Sequence, residues 1–118
     1  MVNLTEFGTA VRKARLDAKV KLQTMAEELE TSPAFLSSLE VGRKKIPRDW
    51  VKKIETYFVA KKVEIPKLAK LADVANKAIP LEGMSPQKAM LLAGFARTNI
   101  SKEQMAQLSR LLKEFEKE

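Results

Sequence analysis

Residues 21–45, KLQTMAEELETSPAFLSSLEVGRKK, hold two short helical patterns with a tight break between them, closed by a glycine and a basic run. In the first pattern Leu22, Met25, Ala26 and Leu29 recur at helical spacing and form one apolar face. In the second, Ser32 followed by Pro33 is a start signal: a hydroxyl to cap the helix, then a proline whose missing N–H costs nothing at the first helical position. Leu36 and Leu39 continue the apolar stripe and Gly42 is placed to end it. Between residues 29 and 33 there is room only for a turn, so the spacing predicts a helix over 22–29, a turn, and a helix over 33–41: a helix-turn-helix.

Upstream, Thr5 caps a first helix running to about Ala18, with Glu6 set against its positive end. Phe7, Ala10, Val11, Ala14 and Ala18 make its inward face, and Arg12, Lys13, Arg15 and Lys19 make the rest basic. Downstream, Pro47 opens a fourth helix over 49–60, whose Trp50, Val51, Ile54 and Phe58 form an apolar stripe; the tryptophan reads as core rather than as a stacking platform. The boundary between halves is placed near Pro66, dividing the chain into 1–63 and 64–118. The second half reads as three more helices. One spans 66–78, and another over 87–97 is apolar nearly all round and so expected to be buried. Within it Gly94 either admits a close backbone or is simply tolerated. The last begins on the capping box Ser101-Lys102-Glu103-Gln104. Along it Met105, Leu108, Leu112 and Phe115 fall on heptad seam positions, widened by Leu111. Two heptads are too few for an autonomous coiled coil but enough for an internal pair or a dimer interface.

Composition narrows the function. The 118 residues make one domain or two small helical units, and 45% hydrophobic content supports a folded core. With no cysteine and no histidine, disulfides, thiolate chemistry, the usual zinc sites and histidine-based catalysis drop out, and no metal or cofactor is expected. No leader pattern and no apolar run of membrane length is present, so a cytoplasmic protein is expected. The net charge is +7 with a pI near 9.7, which suits a nucleic-acid partner without requiring one. Residues 1–63 carry 13 Lys+Arg against 8 Asp+Glu, and residues 64–118 carry 9 against 7, so the excess sits with the helix-turn-helix. Arg43, Lys44 and Lys45, followed by Arg48, form the densest basic cluster.

Met25-Ala26-Glu27-Glu28-Leu29, then residues 31–40, then Gly42-Arg43-Lys44-Lys45-Ile46-Pro47 resemble the lambda-repressor-like (Cro/cI, XRE) helix-turn-helix family. Phe7-Gly8 and residues 12–16 resemble its first helix, so the likeness covers about the first sixty residues. Two positions depart: Glu30 stands where a turn glycine is usual, straining the turn if φ must be positive, and Leu22 stands where a phosphate-contacting glutamine is common. The resemblance implies an all-α fold, a lambda-repressor-like helix-turn-helix domain followed by a C-terminal helical dimerisation region.

In the family's geometry the third helix lies in the major groove of double-stranded DNA. That carries base reading to Pro33, Ala34, Ser37 and Ser38, with Phe35 at the margin or else in the core. None of these makes a bidentate base contact, so thymine methyl groups and DNA shape become the expected readout. Phosphate contacts are expected from Arg43, Lys44, Lys45 and Arg48, and from Gln23 and Thr24 near the start of the second helix. The family pattern also pairs Arg15 with Glu40, locking the first helix to the third and turning the arginine toward a phosphate; the alternative is a free surface arginine.

The expected function is a sequence-specific DNA-binding transcriptional regulator, a homodimeric repressor of an operator that overlaps a promoter, and the resemblance implies autoregulation. Pairing would run through Met105, Leu108, Leu111, Leu112 and Phe115. The alternatives are an antitoxin holding a toxin with its C-terminal half, or a protein-interaction module that no longer binds DNA. An enzyme is not expected, because no grouping of Glu and Lys reads as other than helix surface.

Overall fold

The computed structural model describes residues 4–117. Among them it contains helices and no strand: α1 (Glu6–Ala18), α2 (Leu22–Glu28), α3 (Pro33–Glu40), α4 (Arg48–Ala60), α5 (Leu68–Asn76), α6 (Pro86–Arg97) and α7 (Lys102–Glu116). The protein is all-α. It divides into two compact units, Met1–Pro80 with α1 to α5 and Leu81–Glu118 with α6 and α7.

Local chemistry starts most of these helices. Thr5 caps α1, its hydroxyl accepting from the Gly8 N–H at 3.0 Å. Ser32 caps α3 by accepting from the Phe35 N–H at 3.0 Å, with Pro33 in the first turn. α1 stops where Lys19 takes the left-handed conformation, and α4 starts on the fixed φ of Pro47. Between α2 and α3, Glu30 holds φ +57, so the strain that a non-glycine brings to this turn is present. The turn is held by the Thr31 N–H on the Ala26 carbonyl at 2.9 Å.

The first unit has one core. Phe7, Val11 and Ala14 of α1, Met25 and Ala26 of α2, Leu36 and Leu39 of α3, and Val51, Ile54 and Phe58 of α4 all bury there. Removing a side chain such as Phe58 or Ile54 from water contributes about 1.5–3 kcal/mol. Leu68 and Ala72 of α5 join the same core, and α5 packs on both α1 and α4. The division therefore falls after Pro80 and not at 63/64: Pro66 interrupts the helices, but Val63, Ile65 and Leu68 on either side of it pack into one interior. Residues 1–3 and 118, the outer ends of the two expected domains, lie outside the described residues.

In the second unit the helix starts are as read. Ser85 caps α6 through the Lys88 N–H at 3.1 Å. The capping box of α7 is complete, with Gln104 N–H to Ser101 Oγ at 3.1 Å and Ser101 N–H to Gln104 Oε1 at 3.0 Å. The expected burial of α6 is not found. No residue of α6 or α7 is buried, and Met90 and Leu91 are about three-quarters exposed. Two helices alone do not enclose an interior, so apolar periodicity here marks a surface. A Cβ added at Gly94 would meet nothing within 4 Å, so no backbone approaches it closely.

Candidate nucleic-acid interface

α3 is held from behind. Leu36 and Leu39 sink its inner face into the core, and Glu40 at its last turn is buried although charged. Both oxygens of that carboxylate are met by Arg15: Nη1 donates to Oε2, and Nη2 donates to Oε1 at 3.2 Å. The expected pair is present, bidentate and about nine-tenths buried, which leaves little of the guanidinium at the surface to meet a phosphate. The pair ties α1 to the last turn of α3.

The backbone of Glu40 is bound too. Its carbonyl accepts from the Thr5 N–H at 3.1 Å and from the Thr5 hydroxyl at 3.0 Å. Thr5 therefore caps α1 and ties that cap to the end of α3. The two helices meet so closely that a Cβ on Gly8 would lie 2.1 Å from the Glu40 carbonyl oxygen. Only glycine fits there.

What α3 leaves outward is its N-terminal half. Pro33 and Ala34 are exposed; Ser37 and Ser38 are half-buried. The Ser38 hydroxyl already donates to the Phe35 carbonyl at 2.6 Å, so it remains an acceptor only. Phe35 is half-buried, its ring tilted against Trp50 with centroids 4.9 Å apart. Phe35 belongs with the partly buried fringe of the core.

The basic loop follows directly. Gly42, at φ +80, reverses the chain, and the Arg43 and Lys44 N–H groups return to the Ser38 carbonyl at 2.9 and 3.3 Å. Arg43, Lys44, Lys45 and Arg48 are exposed. Lys44 Nζ lies 5.6 Å from the Phe35 ring centroid and Lys53 Nζ 4.6 Å from that of Trp50, so the aromatic pair carries a cation on each ring. Beyond the loop Ile46 is buried and fastened at both ends of its peptide by one side chain. Asn76 Oδ1 accepts from the Ile46 N–H at 2.7 Å, and Asn76 Nδ2 donates to the Ile46 carbonyl at 3.0 Å. α5 thus anchors the loop. Gln23 and Thr24 stand exposed in the first turn of α2, which packs on α3.

On the far end of α4, Tyr57 Oη donates to Glu28 Oε1 at 2.5 Å, and Lys61 Nζ lies 3.6 Å from the same oxygen. The tyrosine's hydrogen bond is the largest influence on the Glu28 carboxyl; desolvation opposes it, and the charge and hydrogen bond of Lys61 add to it, so the carboxyl is held below its ordinary value. Burial, followed by the bond to Glu28 and its charge, pushes the Tyr57 phenol well above its ordinary value. This group ties α2 to α4.

The sequence reading missed Asn76, the contact at Gly8 and the second role of Thr5. Asn76 stands 30 residues from Ile46, and nothing local announces the pairing. Gly8 and Thr5 lie within ordinary helix-start patterns, and a closely approaching partner is visible only in three dimensions. The five apolar residues expected at a dimer interface, Met105, Leu108, Leu111, Leu112 and Phe115, are exposed along α7.

As a surface, α3 and its loop present small apolar side chains beside a cluster of cations, an arrangement suited to a polyanion. The chain matches no family model, no curated protein and no solved structure.

Proposed function

We propose that this protein is a sequence-specific DNA-binding transcriptional regulator, acting as a homodimeric repressor that occupies an operator in its own upstream region. α2 and α3 then form a helix-turn-helix with α3 in the major groove. One observation carries the reading: the only exposed part of α3 is its N-terminal half, and the basic loop that leaves its other end is held in place by Asn76. Pro33, Ala34 and Ser37 meet base edges and thymine methyl groups, and Arg43, Lys44, Lys45 and Arg48 meet phosphates. Ser38 contributes an acceptor; Phe35 supports Lys44 from below. Gln23 and Thr24 add contacts from α2.

The test is titration of the protein into labelled duplex from its upstream region and into a scrambled duplex, across a salt series. Three phosphate contacts per half-site give a log–log slope of about −2.7 each, so on a two-half-site operator the triple variant R43A/K44A/K45A binds more weakly and with a slope flatter by about 5.4. A34E/S37E removes the preference for the native duplex. Binding that ignores salt and the loop lysines is the result that sinks this reading.

A second reading is favoured by the exposed apolar residues of α6 and α7: an antitoxin that binds DNA with its first unit and a toxin with its second.

A further inference from the structure

We infer that α6 and α7 together, and not α7 alone, form a pairing surface for a second copy of this chain, and that the second unit acquires a hydrophobic interior only when two copies join. This deepens the homodimer part of the reading above but stands on observations that DNA binding does not use.

The second unit has helices without a core. Each helix has its own cap, and α7 has both bonds of a capping box, so both helices are well specified. Yet none of their residues is buried. Units of fewer than about 40 residues as a rule draw on a disulfide, a metal or an oligomeric partner to hold together. The chain has no cysteine, and among the described residues no group of acidic side chains is placed to hold a metal ion. Association is what remains.

The size of the surface fits a copy of itself. Met90, Leu91 and Phe95 of α6 and the five apolar residues of α7 are each 40–75% exposed. At about 200 Å² for a large apolar side chain, they offer on the order of 900 Å², against the roughly 800 Å² that each partner contributes to a stable interface. Charge fits as well. Residues 81–118 carry 6 Lys+Arg against 5 Asp+Glu, while residues 1–80 carry 16 against 10. The apolar faces thus sit on the nearly neutral unit, where two copies meet without repulsion. Two helices from each chain, related by a twofold axis, close into a four-helix unit whose interior is these faces.

The experiment uses the full chain without DNA. Mass is measured by light scattering on size exclusion and by sedimentation from about 1 to about 100 μM, at or above the roughly micromolar weak limit for interfaces of this size, for wild type, L91E on α6 and L112E on α7. Fluorescence of Trp50, the only tryptophan and part of the first unit, reports whether that unit stays folded. The expected result is wild type at twice 13.3 kDa, both variants at 13.3 kDa with unchanged Trp50 emission, and a loss of far-UV helical signal in both variants. Wild type at 13.3 kDa throughout overturns the inference and leaves the faces to a different protein. A dimer that survives L91E overturns it too, since α6 would then lie outside the interface. A monomer that still prefers its operator leaves the DNA reading standing, and a dimer that ignores DNA leaves this one standing.

Discussion

At the scale of single residues, the end of α3 is governed by Glu40. Its carboxylate is buried against Arg15, its carbonyl is held twice by Thr5, and Gly8 presses on the same carbonyl oxygen. A buried ion pair is a weak source of net stability but a costly thing to break, because the surviving charge is left without compensation. Arg15→Met therefore lowers unfolding free energy by about 3 kcal/mol in urea titration. The double variant R15M/E40L recovers most of that loss, since an apolar pair of similar volume removes the stranded charge. If R15M alone were as stable as wild type, the pair would be ornamental and the orientation of α3 would have to come from Leu36 and Leu39. The existence of this pair was legible from residue types that match a family pattern. Its burial was not, because the Thr5 and Gly8 contacts that seal it depend on how closely α1 and α3 approach.

At the scale of elements, helices with a local start signal were legible almost to the residue: Thr5 for α1, Ser32-Pro33 for α3, Ser101 with Gln104 for α7. Placement was less so. α5 looked like the opening of a second half because Pro66 precedes it, whereas Leu68 and Ala72 bury it among α1 and α4 and Asn76 clamps the basic loop. Periodicity marks which face of a helix is apolar and says nothing of what covers it, which is why α6 was expected inside. The α2–α4 tie has a consequence in pH. Tyr57 has its folded pKa raised above 10.0, so what it contributes is fully present below that value and is lost as pH rises above it. Glu28 has its folded pKa lowered from 4.5, so its contribution is present above that value and is lost as pH falls through the folded pKa. Tyr57→Phe removes the first cause of the Glu28 shift and the ionising phenol together. The difference in urea midpoint between wild type and Y57F therefore favours wild type modestly at neutral pH and narrows at both ends, below 4.5 and above 10.0. A difference that stayed constant from pH 3 to 11 (roughly the span of the unperturbed carboxylate and phenol values) would mean that Tyr57 acts by packing alone.

At the scale of the whole molecule, the two units divide the work on the proposed reading: the basic first unit meets DNA and the nearly neutral second unit meets its copy. Such a division makes operator geometry a prediction. Two α3 helices held by one dimer enter successive major grooves on one side of the duplex, about 34 Å or one helical turn apart. Inserting about five base pairs between half-sites turns the second half-site to the opposite side of the DNA, where the paired α3 cannot reach it without twisting the duplex. Affinity for that operator drops to that of a single half-site, and inserting about ten pairs restores part of it only if the connection between the units spans the extra turn. L91E and L112E, which separate the copies, bind the original and the five-pair operators equally. Gel-shift titration of wild type and both variants on the three duplexes measures all of this at once. Equal wild-type affinity for the original and the five-pair operator would show that each first unit binds independently, whatever the oligomer in solution.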